Sequence, residues 1–158
     1  MGEVILPQGL ATFGWREWVA LNDLNLPTIK AKIDTGARTS ALHAFELEPI
    51  LENGVERIKF KIHASHKNND AVTECVANIV DQRDIKNSGG QLETRWVIES
   101  NLTVGTLTWP IELTLTSRKD MKFRMLIGRS AMKNRIVVDP SRSYLVGKKR
   151  RSLKKLEM

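Results

Sequence analysis

An all-β domain is the architecture this sequence predicts, and three observations predict it. Apolar residues recur at every second position through most of the chain. The joints between these runs are rich in turn-forming residues. Only one short stretch invites a helix. Many short strands with frequent turns imply a closed or sandwiched sheet, without internal repeat or linker.

Taken in order, "WREWVALNDL" reads as a strand running into a turn, and "TIKAKIDTG" as a half-buried strand with Ile29, Ala31 and Ile33 on one face. "ERIKFKIHAS" alternates Ile58, Phe60 and Ile62, and "ECVANIVDQR" alternates Cys75, Ala77 and Ile79. "LETRWVIES", "TLTWPIELTLTS" and "RIVVDPSRSYLV" complete the set of strands. "ENG", "HKNND", "KNSGG" and "SNLTVGT" supply the turns. The helical exception is "GRSAMKN", Gly128 to Asn134, which follows an apolar strand at Met125 to Ile127.

A chain of 158 residues suits one domain with a real core. The expected division is a single domain over 1–146 and a basic tail over 147–158. That tail carries six lysines and arginines against Glu157, so most of the formal charge of +7 belongs to it and the remainder is mildly basic. It reads as a solvated extension that could touch RNA, and no nucleic-acid partner is expected. No apolar run approaches the roughly 20 residues that span a bilayer, and the start of the chain lacks a signal-peptide layout. With a single cysteine, Cys75, no internal disulfide can form, which fits a reducing cytoplasm. Cys75 itself reads as a small buried strand residue.

The informative stretch is "KAKIDTGARTSALHA", Lys30 to Ala44, where a strand ends on a carboxylate before a tight turn. Alone, Asp34 is an ordinary turn former or N-cap, since its oxygens accept nearby backbone N–H bonds. Far along the chain comes "FRMLIGRSAM", Phe123 to Met132, in which an apolar strand meets Gly128 and then a short helix. Together the two segments resemble the retropepsin-like aspartic proteases. The fuller "KIDTGARTSALHA" resembles a bacterial branch whose members are often labelled ATP-dependent zinc proteases and are encoded beside ATP-grasp glutamate ligases. The likeness covers roughly Gly14 to Val146.

The resemblance implies a closed barrel of six or more strands with one short C-terminal helix. It makes Asp34 the catalytic carboxylate, framed by Thr35 and Gly36. Ser40, Ile127 and Gly128 support the loop. Aspartic proteolysis needs two carboxylates close enough to share one proton, because neighbouring like charges cannot both ionise. The chain holds one Asp-Thr-Gly, and Asp139 is followed by Pro140 and Ser141, so it does not supply a second such loop. A competent dyad therefore requires a homodimer, which is commonly two-fold.

Retroviral relatives usually carry an acid after Asp-Thr-Gly-Ala, paired with the arginine of the Gly-Arg segment. Here that position is Arg38, while Arg129 is retained. Arg38 either points to solvent, finds Asp139 or Glu46, or joins Arg129 in reading substrate carboxylates, which guanidinium forks match bidentately. The last option suggests acidic, glutamate-rich or glutamylated protein tails as substrates, with a functional link to a glutamate ligase. Ala37, Arg38 and Arg129 would line the substrate site. The family's flap would be "VDQRDIKNSGGQLETRWVIES" with its tip at Lys86 to Gly90, where Gly89 and Gly90 give mobility and Lys86 adds charge.

No HExxH and no phosphate loop is present, so no cofactor or metal is expected. His63 and His66 lie three apart on a strand and point to opposite faces. Ser40, His43 and Asp34 are better explained by packing and turn bonding than by a hydrolase triad. The four tryptophans, Trp15, Trp18, Trp96 and Trp109, read as core or rim packing. The reading opposed to a peptidase is a catalytically silent peptide- or RNA-binding module on the same fold.

Overall fold

The computed structural model describes residues 9–63, 71–87, 89–117 and 122–147. Most of the stretch read for a signal peptide, the whole HKNND turn with His66, and residues 148–158 of the basic tail lie outside the described residues.

Alternation in the sequence becomes strand wherever one face can be buried. β1 (Ala11–Gly14) and β2 (Arg16–Leu21) are followed by a 3-10 turn at Asn22–Leu24, then β3 (Leu26–Ile33), β4 (Ser40–His43), β5 (Phe45–Glu52) and β6 (Val55–His63). β7 (Val72–Lys86), β8 (Leu92–Val104), β9 (Leu107–Thr116) and β10 (Met125–Ile127) lead to the short helix α1 (Arg129–Met132) and β11 (Ile136–Asp139). Ile58, Phe60 and Ile62 face the core with Cys75 and Ala77 opposite them. Each fully buried aliphatic or aromatic side chain of this kind contributes roughly 1.5–3 kcal/mol.

Nine strands form one sheet in the order β2-β3-β10-β4-β9-β8-β7-β6-β5, and β1 pairs in parallel with β11 in a separate ribbon. One further pairing, Ala20 opposite Thr103, joins β2 to β8. That link is a single residue pair, so what the strands support is a mostly β fold with one large sheet and one short helix. β10 lies between β3, with which it runs parallel, and β4, with which it runs antiparallel. The core around it includes Ile33, Leu42, Leu113, Met125 and Ile127.

Three strands go beyond the sequence reading. β1 and β4 fall in stretches without a clear alternation, β5 carries acids and Pro49 that read as loop, and β8 runs through most of the expected SNLTVGT turn, leaving only Gly105 and Thr106 at the bend. β8 continues because Leu102 and Val104 stay buried and the Asn101 N–H finds the Asp23 carboxylate at 2.9 Å.

After β11 the chain folds back along β2. The Tyr144 N–H donates to the Arg16 carbonyl and the Trp18 N–H to the Gly147 carbonyl. Beneath this segment lies Glu17, fully buried. Its two oxygens accept four backbone N–H groups, from Gly14 at 2.7 Å, Leu145 at 2.9 Å, Val146 at 2.9 Å and Gly147 at 2.6 Å. Gly147, assigned by sequence to the tail, is thus buried and held.

Candidate active site

β3 and β10 run side by side, with Ile33 opposite Ile127, and the next residue on β3 is Asp34. Its N–H donates to the Ile127 carbonyl at 2.8 Å, which fixes the start of the loop. The Gly36 N–H then turns back to Asp34 Oδ1 at 3.0 Å. A Cβ at position 36 would stand 3.2 Å from that same oxygen, so glycine leaves the carboxylate its closest approach to the backbone. Asp34 is half-buried, while Thr35 and Gly36 are exposed.

The loop connects the two neighbours of β10 and so crosses over the end of β10, where Gly128 sits. Any Cβ at 128 would lie 2.6 Å from the Thr39 carbonyl carbon, a space only glycine can occupy. The Gly128 N–H donates to the buried Ser40 Oγ at 3.0 Å, and Thr114 Oγ1 donates to the Ser40 carbonyl at 3.0 Å. At the start of α1, where helical N–H groups lack partners within the helix, the loop supplies them. Arg129 N–H donates to the Ala37 carbonyl and Ser130 N–H to the Arg38 carbonyl. The Ser130 hydroxyl adds a second bond to Arg38 O at 2.8 Å, and Arg129 Nη1 reaches the Thr35 carbonyl at 2.9 Å. Three successive supports therefore hold the carboxylate turn in place.

Arg38 is exposed and, among the described residues, forms no ion pair. Neither acid considered for it arrives. Asp139 accepts from Ser141 and pairs with Arg142 at 3.7 Å, and Glu46 pairs with Lys61 at 2.6 Å. Its hydrogen bonds from Ser141, with Arg142 nearby, hold the Asp139 carboxyl below the usual carboxylate range. Arg38 and Arg129 instead line an open groove of about 950 Å³ with Thr35, Lys133 and the apolar Met132 and Val138. Among the lining residues there are three cations and no acid. On its other side, Arg38 borders a second groove of about 540 Å³ shared with Arg83, Ile85 and Glu112.

The strands β7 and β8 form the long hairpin expected of the flap, paired from Ile79–Ile98 to Lys86–Leu92. Asn87 organises its tip, accepting from Gly89 and Gln91 through Oδ1 and from Gly90 through its carbonyl. Gly90 adopts φ of 83°, which glycine tolerates best. Lys86, Gly89 and Gly90 are exposed there, and no hydrogen bond among the described residues ties them to the Asp34 loop. The stem of the hairpin, Arg83 to Ile85, does share a groove with Arg38 and Thr39.

Ser130 and Lys133 escaped the sequence reading, although both lie in the helical stretch it singled out. Trp109, read from the sequence as core or rim packing, is buried, and its indole N–H donates to the Ala131 carbonyl at 3.0 Å and steadies α1. Among the described residues no group of three or more His, Cys, Asp and Glu side chains could hold a metal ion. His63 stacks on His43 and Phe45. No described helix is long and apolar enough to cross a membrane.

Residues 12–149 match a family described as RimB-like, "Retropepsin-like aspartic endopeptidase RimB". A protein of Shewanella pealeana named "Probable alpha-L-glutamate ligase" is 43% identical over 136 residues, which are 86% of this chain and 30% of that protein. One of the same name from Parasynechococcus marenigrum is 43% identical over 134 residues, 85% of this chain and 29% of that protein. The chain thus spans less than a third of the length of these relatives. A crystal structure of a Legionella pneumophila protein of unknown function superposes with a TM-score of 0.74 at 27% identity, covering 85% of this chain and 97% of that one.

Proposed function

The chain belongs to the RimB-like family of retropepsin-like aspartic endopeptidases, and from that premise we propose that it is an aspartic peptidase assembled as a homodimer, each copy contributing one Asp-Thr-Gly loop. The observation that carries this reading is the placement of Asp34. It stands at the ends of two parallel strands, with the Gly36 amide on one oxygen and α1 bracing the turn.

In the dimer, Asp34 of each copy shares one proton with the other, so one carboxylate stays ionised while the other is protonated. The ionised member takes a proton from a water molecule, and the protonated one polarises the scissile carbonyl. Thr35 and Gly36 frame the pair, and Ser40, Ile127 and Gly128 keep it in position. Ala37, Arg38 and Arg129 contact the substrate, and the hairpin tip at Lys86, Gly89 and Gly90 closes over it.

The cationic lining of the Arg38 groove supports acidic protein tails, including glutamylated ones, as substrates. The relatives named for glutamate ligation support a functional link to an ATP-grasp ligase, the remainder of those longer proteins being the place for such an activity. Residues 1–146 act as one domain, and the lone cysteine supports a cytoplasmic setting.

Mass spectrometry of a peptide panel tests this, including peptides with C-terminal oligoglutamate, incubated with wild type and Asp34→Asn from acid to neutral pH. Cleavage by wild type alone is the expected result. Cleavage that survives in Asp34→Asn refutes the assignment of Asp34. Absence of cleavage by either protein favours the peptide-binding reading, in which a lone carboxylate has no partner to activate water.

A further inference from the structure

We infer that the Arg38–Arg129–Lys133 groove is an anion-binding site that controls assembly, so that the two copies join tightly only when a multiply charged carboxylate occupies it. The inference rests on the homodimeric reading above and concerns what that reading demands of charge.

Two Asp34 carboxylates can share a proton only within hydrogen-bonding distance of each other and of the two-fold axis. Thr35 is the next residue, and its carbonyl holds the Arg129 guanidinium at 2.9 Å. Each Arg129 then stands within about 10 Å of the axis, given a spacing of 3.8 Å between successive Cα atoms. Arg38 is tethered to the same helix through Ser130, which donates to its carbonyl twice, from the backbone and from the hydroxyl. Lys133 lines the same groove. Any arrangement that completes the dyad therefore crowds these cations from both copies around a pair of aspartates holding, between them, a single negative charge.

No acid lines this groove with them, and Asp84, which borders Arg38 on its other side, accepts a hydrogen bond from Thr94 Oγ1 at 2.7 Å. Asp139 is taken by Ser141 and Arg142, Glu112 by Arg83, and Glu46 by Lys61. The Debye length at physiological ionic strength is about 8 Å, so repulsion across the axis is only partly screened. A carboxylate-rich ligand reverses the balance. It offers planar oxygen pairs to guanidinium forks, and its aliphatic parts can lie on Met132 and Val138. A ligand that binds the assembled form, where the cations of both copies meet, more tightly than the isolated copy shifts the equilibrium toward assembly by mass action. Assembly and occupancy of the groove are then coupled, and an isolated copy lacks the second Asp34 of the dyad.

Sedimentation velocity on the full chain tests the inference, in citrate and in sodium chloride at matched ionic strength. The variants are Arg38→Gln and Lys133→Gln, both at exposed positions without ion pairs among the described residues. For wild type, citrate at ten times its Kd for the assembled form should tighten the dimer about tenfold for each occupied groove relative to chloride. Arg38→Gln should dimerise more tightly than wild type in chloride and lose most of the response to citrate, with Lys133→Gln intermediate.

A wild-type dimer of equal strength in both salts, unchanged in Arg38→Gln, overturns the inference and leaves the homodimeric reading standing. So does an equal gain from chloride, since screening alone would account for it. If wild type and both variants stay monomeric in every condition, the inference and the homodimer fail together.

Discussion

Glu17 provides the sharpest test of how this fold is held. Replacing it by glutamine preserves volume but turns one acceptor oxygen into an NH2 donor. The four amides that converge on the carboxylate, from Gly14, Leu145, Val146 and Gly147, then meet a group able to accept from only some of them. Hydrogen bonds to a charged group contribute about 1.5–3 kcal/mol each, and an orphaned buried N–H costs about 1–3 kcal/mol. Bonds that share one acceptor group do not add, and the remaining amide oxygen keeps up to two of them. The expected loss is about 4 kcal/mol, at the upper end for a single substitution. Urea unfolding at neutral pH, followed by tryptophan fluorescence, should show the midpoint falling with an unchanged slope. In thermal unfolding the same loss lowers Tm by roughly 8–16 °C. Hydrogen exchange should accelerate most at the amides of Leu145 to Gly147. A loss below about 1 kcal/mol, or exchange unchanged at those amides, would show that the carboxylate is not what fastens this segment to β2.

Two further outcomes follow from the site and the core. Ser40→Ala strips the Gly128 N–H of its buried acceptor, which should cost about 1–3 kcal/mol in urea unfolding. It should also lower kcat more than it raises KM, because Ser40 positions the loop without touching substrate; equal stability and kcat would remove it from that role. Burial pushes the Cys75 thiol up to about 11 from its ordinary value of 9.0. The raised value means that Cys75 leaves stability untouched below pH 9 and erodes it as pH rises toward 11, where the unfolded thiol ionises first. Iodoacetamide at pH 8 should therefore label it only as fast as the protein opens, and rapid labelling of the native protein, read by mass spectrometry, would contradict this burial.

The sequence displayed the strands that bury one face and expose the other. Ile58, Phe60 and Ile62 on β6 and Ile29, Ala31 and Ile33 on β3 could be read directly, because a two-residue period has few other causes. β4 could not, since all four of its residues are buried and no alternation remains. β5 was hidden by its acids and Pro49, which mimic a loop although the strand pairs with β6 almost throughout. The Asp34 turn and the Gly128 helix start were legible as a pair, yet their joining through Ser40 Oγ is a tertiary fact. Glu17 was opaque for the same reason. A glutamate in a strand reads as solvent-facing, and the amides that satisfy it come from the far end of the chain. Arg38 was legible as a departure from the usual pairing, but whether an acid would reach it depended on where Asp139 and Glu46 found other partners.

The bracing of the Asp34 loop by α1 also sets an order of events during synthesis. The carboxylate turn leaves the ribosome early, but the groups that fix it are encoded much later. Gly128 lies 88 residues beyond Ser40, and Arg129 lies 94 beyond Thr35. At about 5–20 residues per second, the turn waits roughly 5–20 s for its supports. The last residues to dock, on Glu17, arrive later still, at separations of up to 130 residues. A nascent chain thus carries the Asp34 turn unbraced for most of the time this stretch takes to be synthesised.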